Sequence, residues 1–234
     1  MLSTEVTTTV YGTLSDKGLY SGYITADNIP RQSAYILSRK PVYDSFTGIV
    51  TAVAYFEDGT EKPIVSPKNE IMYEPEIRNI LGALHQAKLT KLNCLYEKSC
   101  GAVILHKEAT AKDYKILLVK NHNGRFYSFP KGHVEFRENE KETAIREIKE
   151  ETNLDVEILD GFREISDYCP FGKIRKRVVF FLAVAKSNDI KIQESEIDSY
   201  TWVPLNGASN VCTYDNDRRV IEKVRRYMAQ HKNI

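Results

Sequence analysis

Residues 132–154 read GHVEFRENEKETAIREIKEETNL, and the run Arg146-Glu-Ile-Lys-Glu-Glu151 inside them decides how the chain is to be read. In a helix each residue advances by about 100°, so Glu147, Glu150 and Glu151 share one arc of about 100°. Ala144, Ile145 and Ile148 fill the neighbouring arc, and Arg146 and Lys149 take most of the remainder. The pattern predicts a helix over about 140–152 that docks a narrow apolar stripe on a core, with a carboxylate cluster along the edge of that stripe. Glu147 and Glu151 form an i,i+4 like-charge pair, which costs about a few tenths of a kcal/mol on a bare helix. A hard divalent cation bound through oxygen turns that repulsion into attraction. A charge-rich helix is ordinarily a solvated face. Such a face pairs Glu with a base four residues on, as Glu142 and Arg146 do, whereas the three key acids have no such partner on their own arc. The helix is entered through Phe129-Pro-Lys-Gly-His133, a Pro/Gly turn expected to bring backbone carbonyls and Lys131 close by.

Gly132, Glu138, Arg146-Glu147-Ile148, Glu150-Glu151 and Leu154 resemble the Nudix box, with every spacing in register. Asn153 stands where that pattern usually has Gly, and Asn is the next-best residue for a left-handed helix end. The resemblance implies an α/β/α sandwich with a mixed sheet, and hydrolysis of a nucleoside diphosphate linked to another group with magnesium or manganese. It assigns metal binding to Glu147, Glu150 and Glu151, with the Lys131 or Gly132 carbonyl as a backbone ligand. Arg146 would pair with a box glutamate and hold it in place, and Glu138 would be a structural or outer-shell acid. Glu196, in the Glu194-Ser-Glu-Ile-Asp198 loop, is the second-site candidate. Elementary chemistry agrees: water attacking phosphorus in a polyphosphate needs cations to offset charge and an acid to accept its proton.

The surroundings resemble the asymmetric diadenosine tetraphosphate hydrolase branch of that family. The matches are Phe129-Pro-Lys-Gly-His-Val-Glu135, Gly161-Phe-Arg-Glu164 followed by Tyr168, and Glu196 before Tyr200-x-Trp202, with Ala208 and Tyr214 beyond. That resemblance makes Tyr168 and Tyr214 an adenine sandwich and Lys176 a phosphate contact. Aromatic faces stack on any base, and Lys131, Lys176 and Arg175 offset phosphate charge. Each tyrosine reads equally as a core or rim residue, the run Lys173–Arg177 as a solvated loop, and His133 as either a phosphate contact or a turn histidine bonded to backbone. An Arg/Lys-lined groove is expected to face the box helix. The leading substrate is diadenosine tetraphosphate, split to ATP and AMP. The alternatives are nucleoside triphosphates, sugar nucleotides or RNA 5′ ends, or a nucleotide-sensing protein that only binds. The intact acid cluster argues against the last.

The chain has 234 residues, 42% of them hydrophobic, with a formal net charge of +1, enough for two small domains with real cores. That charge gives no signal for nucleic-acid binding. No apolar run approaches a membrane span, and MLSTEVTTTV lacks a basic segment followed by an apolar stretch, so the expectation is a cytoplasmic protein without a membrane partner. Cys94, Cys100, Cys169 and Cys212 show no metal-site spacing and read as free thiols.

The fold class expected is α+β, with a β-rich domain over 1–93 and the Nudix domain over 94–234. In the first, Val6–Tyr11, Ser33–Ser38, Gly48–Phe56 and Pro63–Val65 read as strands, followed by a helix over Pro75–Ala87. This block resembles a shortened soluble inorganic pyrophosphatase, an OB-like barrel, on Tyr20-Ser-Gly-Tyr-Ile24, Arg31-Gln-Ser-Ala-Tyr-Ile-Leu37, Pro41-Val42 and Phe46-Thr-Gly-Ile-Val50. Ser33 stands where that family has a metal-binding aspartate, and Asp27 alone cannot hold several cations. The barrel is therefore expected to serve structure, homodimer formation or ligand contact. In the second block, strands are expected over Cys100–Leu105, Tyr114–Lys120, Phe126–Phe129, Val156–Ile165, Arg177–Ala185 and Tyr200–Val203, with a last helix over about 217–230.

Overall fold

The computed structural model describes all residues except 17, 26–31, 83–87, 109–110, 112, 123, 136 and 232–234. The chain forms two compact units: Met1–Lys98 with Tyr168–Lys176, and Ser99–Asp167 with Arg177–Ile234. Asp27 and the end of the expected first helix, Leu84 included, lie outside the described residues.

The first unit is built from β1 (Glu5–Ser15), β2 (Leu19–Ile24), β3 (Gln32–Leu37), β4 (Ser45–Phe56), β5 (Glu61–Ser66), α1 (Glu74–Gly82) and β6 (Leu89–Cys94). The strand order β1-β2-β3-β5-β4-β6, with β1 also paired to β4, closes five strands into a circuit, the strand count of an OB barrel. β4 makes the closure possible. Its first half pairs β1 and its second half pairs β6, while β5 runs along most of its length. The run Gly48–Val53 is buried on both faces, which accounts for its apolar composition without polar alternation. Ile77 and Leu81 of α1 pack with Leu19, Leu37, Ala52 and Ile64. The β2 and β6 strands did not stand out as sequence runs. Each is six residues long, one interrupted by Ser21-Gly22 and the other carrying Thr90 and Lys91.

The second unit contains β7 (Tyr96–His106), β8 (Lys115–Asn121), β9 (Tyr127–Ser128), β10 (Lys131–His133), α2 (Glu140–Thr152), β11 (Val156–Tyr168), β12 (Arg175–Ala185), β13 (Ile197–Pro204) and α3 (Asp215–Gln230), some strands running on into the first unit. The sheet order is β11-β12-β7-β8-β13, with β10 on β7 and β9 on β8. One set of alternate residues (Cys100, Ala102 and Ile104; Val179, Phe181 and Ala183) packs against Ala144 and Ile148 of α2. The opposite set (Val103, Leu105, Val178, Phe180 and Leu182) is buried as well, so this sheet is covered on both faces. On the α3 side, the Tyr227 ring meets Phe162 edge-on and its hydroxyl donates to the Asp160 carbonyl at 2.6 Å.

The fold is α+β, and α2 spans the residues expected of it. Its start is a full capping box: Asn139 accepts from the Lys141 and Glu142 amides, and Glu142 accepts from the Asn139 amide at 2.8 Å. Its end is Asn153 in the left-handed region at φ 58°, with the Lys149 ammonium on its carbonyl. Two expectations about the helix are corrected. Ile145 is 44% exposed and does not join the apolar stripe, because it lies at the far edge of that arc. Glu147 and Glu151 are not along the edge of the docking face: both are buried, in line with Thr143, Ala144 and Ile148.

Candidate active site

β10 sets the geometry. Residues expected to form only a turn make a three-residue strand paired antiparallel with β7, Lys131 opposite Gly101 and His133 opposite Ser99. This fixes the backbone of Lys131 and Gly132 against α2. A Cβ at Gly132 would lie 2.0 Å from the Glu147 Cδ and from one carboxylate oxygen, so only glycine admits that carboxylate. One residue earlier, the Lys131 amide donates to Glu151 Oε2 at 3.2 Å.

Arg146 organises the outer side. Its Nε donates to Glu138 Oε1 (2.6 Å), Nη2 to Glu138 Oε2 (2.9 Å) and to the His133 carbonyl (2.8 Å), and Nη1 to Glu147 Oε1 (2.8 Å) and Glu150 Oε2 (2.9 Å). All five guanidinium donors are thereby used, and the bidentate half grips Glu138. The three key acids have no base four residues on, but Arg146, expected to hold one box glutamate in place, reaches two of them, Glu147 and Glu150. Arg146 stands four residues before Glu150, so it reaches that acid from the other side of the turn. Glu138 is also bonded by the Thr143 hydroxyl and the Glu135 amide, and the Arg146 guanidinium holds its carboxyl down at about 2.

Glu151 is different. It is 2% exposed, and among the described residues its carboxylate accepts one hydrogen bond, from the Lys131 backbone amide. Burial pushes its carboxyl up to about 8, Glu147 and Glu196 add repulsion, and the Lys131 ammonium pulls the other way. Glu147 is also raised, chiefly by burial against the pull of Arg146, with Glu150 and Glu196 adding to it. Four carboxylates, Glu147, Glu150, Glu151 and Glu196, are thus electrostatically linked across α2 and the loop before β13. Among the described residues no three acidic, His or Cys side chains converge as a ready cation cage, because Arg146 sits between Glu138, Glu147 and Glu150. The donor set nonetheless fits a divalent cation: oxygen ligands only, two of them desolvated and held against mutual repulsion that a cation relieves.

The other expected residues are placed as follows. His133 contributes its backbone carbonyl to Arg146, and its side chain is exposed. Glu196 caps its loop, with its carbonyl accepting from the His122 amide and its carboxylate from Gln193. Tyr214 is 54% exposed and meets Phe126 edge-on at 5.5 Å. Phe126, itself 40% exposed, was not singled out in the sequence, and only the tertiary fold reveals the pairing. Tyr168 and Lys176 belong to the first compact unit, where the Lys176 ammonium lies 3.7 Å from the Glu97 carboxylate. Two cations of the Lys173–Arg177 run are thus engaged, since Arg177 forks onto Asp167 at 2.8 and 2.7 Å.

The NUDIX domain pattern matches residues 97–224, more than half of the chain and all of the site just described. The chain belongs to the Nudix family. An asymmetrical bis(5'-nucleosyl)-tetraphosphatase of Sus scrofa is 29% identical over 141 residues, covering 56% of this chain and 95% of that protein. Its counterpart in Caenorhabditis elegans is 30% identical over 135 residues, covering 56% and 96%. The solved structure of a C. elegans Ap4A hydrolase binary complex superposes with a TM-score of 0.53 at 27% identity, over 57% of this chain and 98% of that one. All three similarities cover little more than half of this chain. This Nudix chain is a hydrolase of phosphorus anhydrides, in a family that acts on nucleotides and generally uses divalent metals such as Mg2+. Among the described residues no helix is long and apolar enough to cross a membrane.

Proposed function

We propose that the chain hydrolyses a dinucleoside polyphosphate, diadenosine tetraphosphate in the first instance, to ATP and AMP. The observation that carries this is the buried Glu147–Glu151 pair, both carboxyls pushed above the ordinary carboxylate range by burial and Glu151 drawn back by the Lys131 ammonium, in a domain that spans nearly the whole length of tetraphosphatases. Carboxylates that gain from a cation, next to a lysine, match a substrate that brings several phosphates and its own metal requirement.

Glu147, Glu150 and Glu151, with the Gly132 carbonyl and Glu196, would hold Mg2+, Mn2+ being a substitute. Bound there, the ion supplies charge neutralisation at the polyphosphate and acidifies water. The chain's own groups do the rest. Arg146 fixes Glu147 and Glu150 in one orientation and is itself fixed by Glu138, so the carboxylates are presented without reorganisation. One of the box glutamates takes up the proton of attacking water. Lys131 faces the phosphates, and Tyr214 with Phe126 offers an aromatic surface to one base.

The test is chromatography of the products formed from a panel of dinucleoside polyphosphates, nucleoside triphosphates, sugar nucleotides and capped RNA, with Mg2+. ATP plus AMP from the tetraphosphate as the fastest reaction is the expected result. Faster turnover of a triphosphate, a sugar nucleotide or an RNA 5′ end would transfer the same chemistry to that substrate.

A further inference from the structure

β11 and α3 meet in matched steps. On the strand, the alternate residues Phe162, Glu164 and Ser166 share one side; on the helix, Tyr227, Lys223 and Arg219 follow at intervals of four. The Phe162 ring meets Tyr227 edge-on at 5.6 Å, and Glu164 accepts from the Lys223 ammonium. Two residues along a strand advance about 6.8 Å and four along a helix about 6 Å, so the third step sets Ser166 toward Arg219. Here the strand presents a serine where the step before presented an acid. A cavity of about 210 Å3 lies at this step, lined by Ser166, Asn216, Arg219 and Val220 beside the Glu164–Lys223 pair and Asp167. Ser166 is 7% exposed, and among the described residues its hydroxyl, the Asn216 side-chain amide and the Arg219 guanidinium make no hydrogen bond or ion pair. A buried hydroxyl left without a partner is a cost to the fold that a ligand can remove. The two acids on the wall are already held, Glu164 by Lys223 and Asp167 by Arg177, which forks onto it at 2.8 and 2.7 Å. Arg219 is therefore the uncommitted charge among the lining residues.

We propose that this gap is a phosphate-binding site, taking the phosphoryl group of inorganic phosphate or of a phosphate monoester. A guanidinium grips an oxyanion through two parallel N–H bonds and so engages two of its oxygens. The Ser166 hydroxyl and the Asn216 amide supply donors for a further oxygen, which a phosphate has and a carboxylate lacks. Asn216 lies in the first turn of α3, where the helix dipole favours an anion. Volume narrows the ligand: sites that enclose a whole drug-sized molecule begin at roughly 300 Å3, so this cavity admits the phosphoryl head and leaves any nucleoside outside. Hydrolysis of a phosphorus anhydride leaves such a group on each fragment, so the occupant belongs to the chemical class of the products. None of the lining residues belongs to the box cluster, and the site stands whichever nucleotide the chain hydrolyses.

The experiment follows the Asn216 side-chain amide by 15N NMR in the full chain, its resonance identified by its loss in Asn216→Ala. Inorganic phosphate and AMP are titrated separately, without metal. A saturable shift with a dissociation constant on the order of millimolar is expected. Arg219→Gln should weaken binding about tenfold or more and Ser166→Ala about threefold. The melting temperature should be unchanged in both, since neither side chain has a polar partner to lose. Arg226, an exposed arginine of the same helix that does not line the cavity, is the control, and Arg226→Gln should leave binding as it is. Equal affinities for phosphate and AMP identify the phosphoryl group alone as the ligand, whereas saturation by AMP only identifies the monoester as its source; either result upholds the site. Absence of saturation with both ligands, an affinity unchanged in Arg219→Gln, or equal weakening by Arg219→Gln and Arg226→Gln overturns the proposal.

Discussion

At the scale of single residues, the site depends on four positions that answer to three different forces. Gly132 answers to sterics. Its missing side chain is the space occupied by the Glu147 carboxylate, so Gly132→Ala must displace that acid or β10. A cost of about 1–3 kcal/mol in stability is expected, with turnover falling far more than stability, as measured by denaturant melts beside kinetics. Arg146 and Glu138 answer to charge. Glu138 has its pKa lowered from the ordinary 4.5 to about 2 by the Arg146 guanidinium, so its contribution to stability is fully present above pH 4.5 and is lost as pH falls through about 2. Glu138→Gln should flatten the acid limb of the stability curve between those values, and an unchanged limb would refute the role given to the Arg146–Glu138 fork. Glu151 answers to desolvation: Glu151→Gln removes a buried ionisable group without removing volume, so turnover should drop by about a hundredfold or more while the fold survives. Helical spacing made legible in the sequence that Glu147, Glu150 and Glu151 share one arc of α2, and the box resemblance singled them out. The steric need for Gly132 and the Tyr214–Phe126 contact were not legible there, since each arises between elements distant in the chain.

At the scale of elements, α2 is specified at both ends by local chemistry, which explains why its limits could be read from the sequence without a fold. Asn139 with Glu142 starts it and Asn153 stops it. Asn139→Ala should cost about 1 kcal/mol by removing acceptors for two amides. At Asn153 the backbone is left-handed, so Asn153→Gly is expected to be neutral to slightly stabilising, whereas Asn153→Ala should cost about 1–2 kcal/mol; equal effects of the two would show the cap to be irrelevant. The element that sequence reasoning took for a turn, β10, has no apolar alternation to announce it. Lys131-Gly-His133 is a strand only because β7 supplies partners. Ile145 taught the converse lesson, that an apolar residue on the margin of an amphipathic arc is left in solvent when two glutamates take the docking face. Two of the six buried residues of α2 are acids, and the fold tolerates them because Arg146 and the Lys131 amide each answer one carboxylate.

At the scale of the whole molecule, the segment 168–176 groups with the first 98 residues and not with the Nudix sheet from which its strands extend. The Arg175 amide donates to the Leu95 carbonyl at 2.9 Å, Lys176 faces Glu97, and Leu95 and Tyr96 are buried with Ile49 and against Tyr73. None of this is visible in sequence, where residues near 93 look like a short linker between a β-rich block and a second domain. A chain cut to residues 94–234 would keep the acids, Arg146 and Lys131 but strip Leu95 and Tyr96 of Ile49 and Tyr73, leaving apolar surface exposed. It is expected to melt at lower temperature and to bind a hydrophobic dye that the full chain does not bind. A fragment with the parent's melting temperature would show that the first unit does not serve stability. In that case dimerisation, checked by sedimentation of the two chains, and ligand contact are the roles left for the barrel among those its sequence suggested.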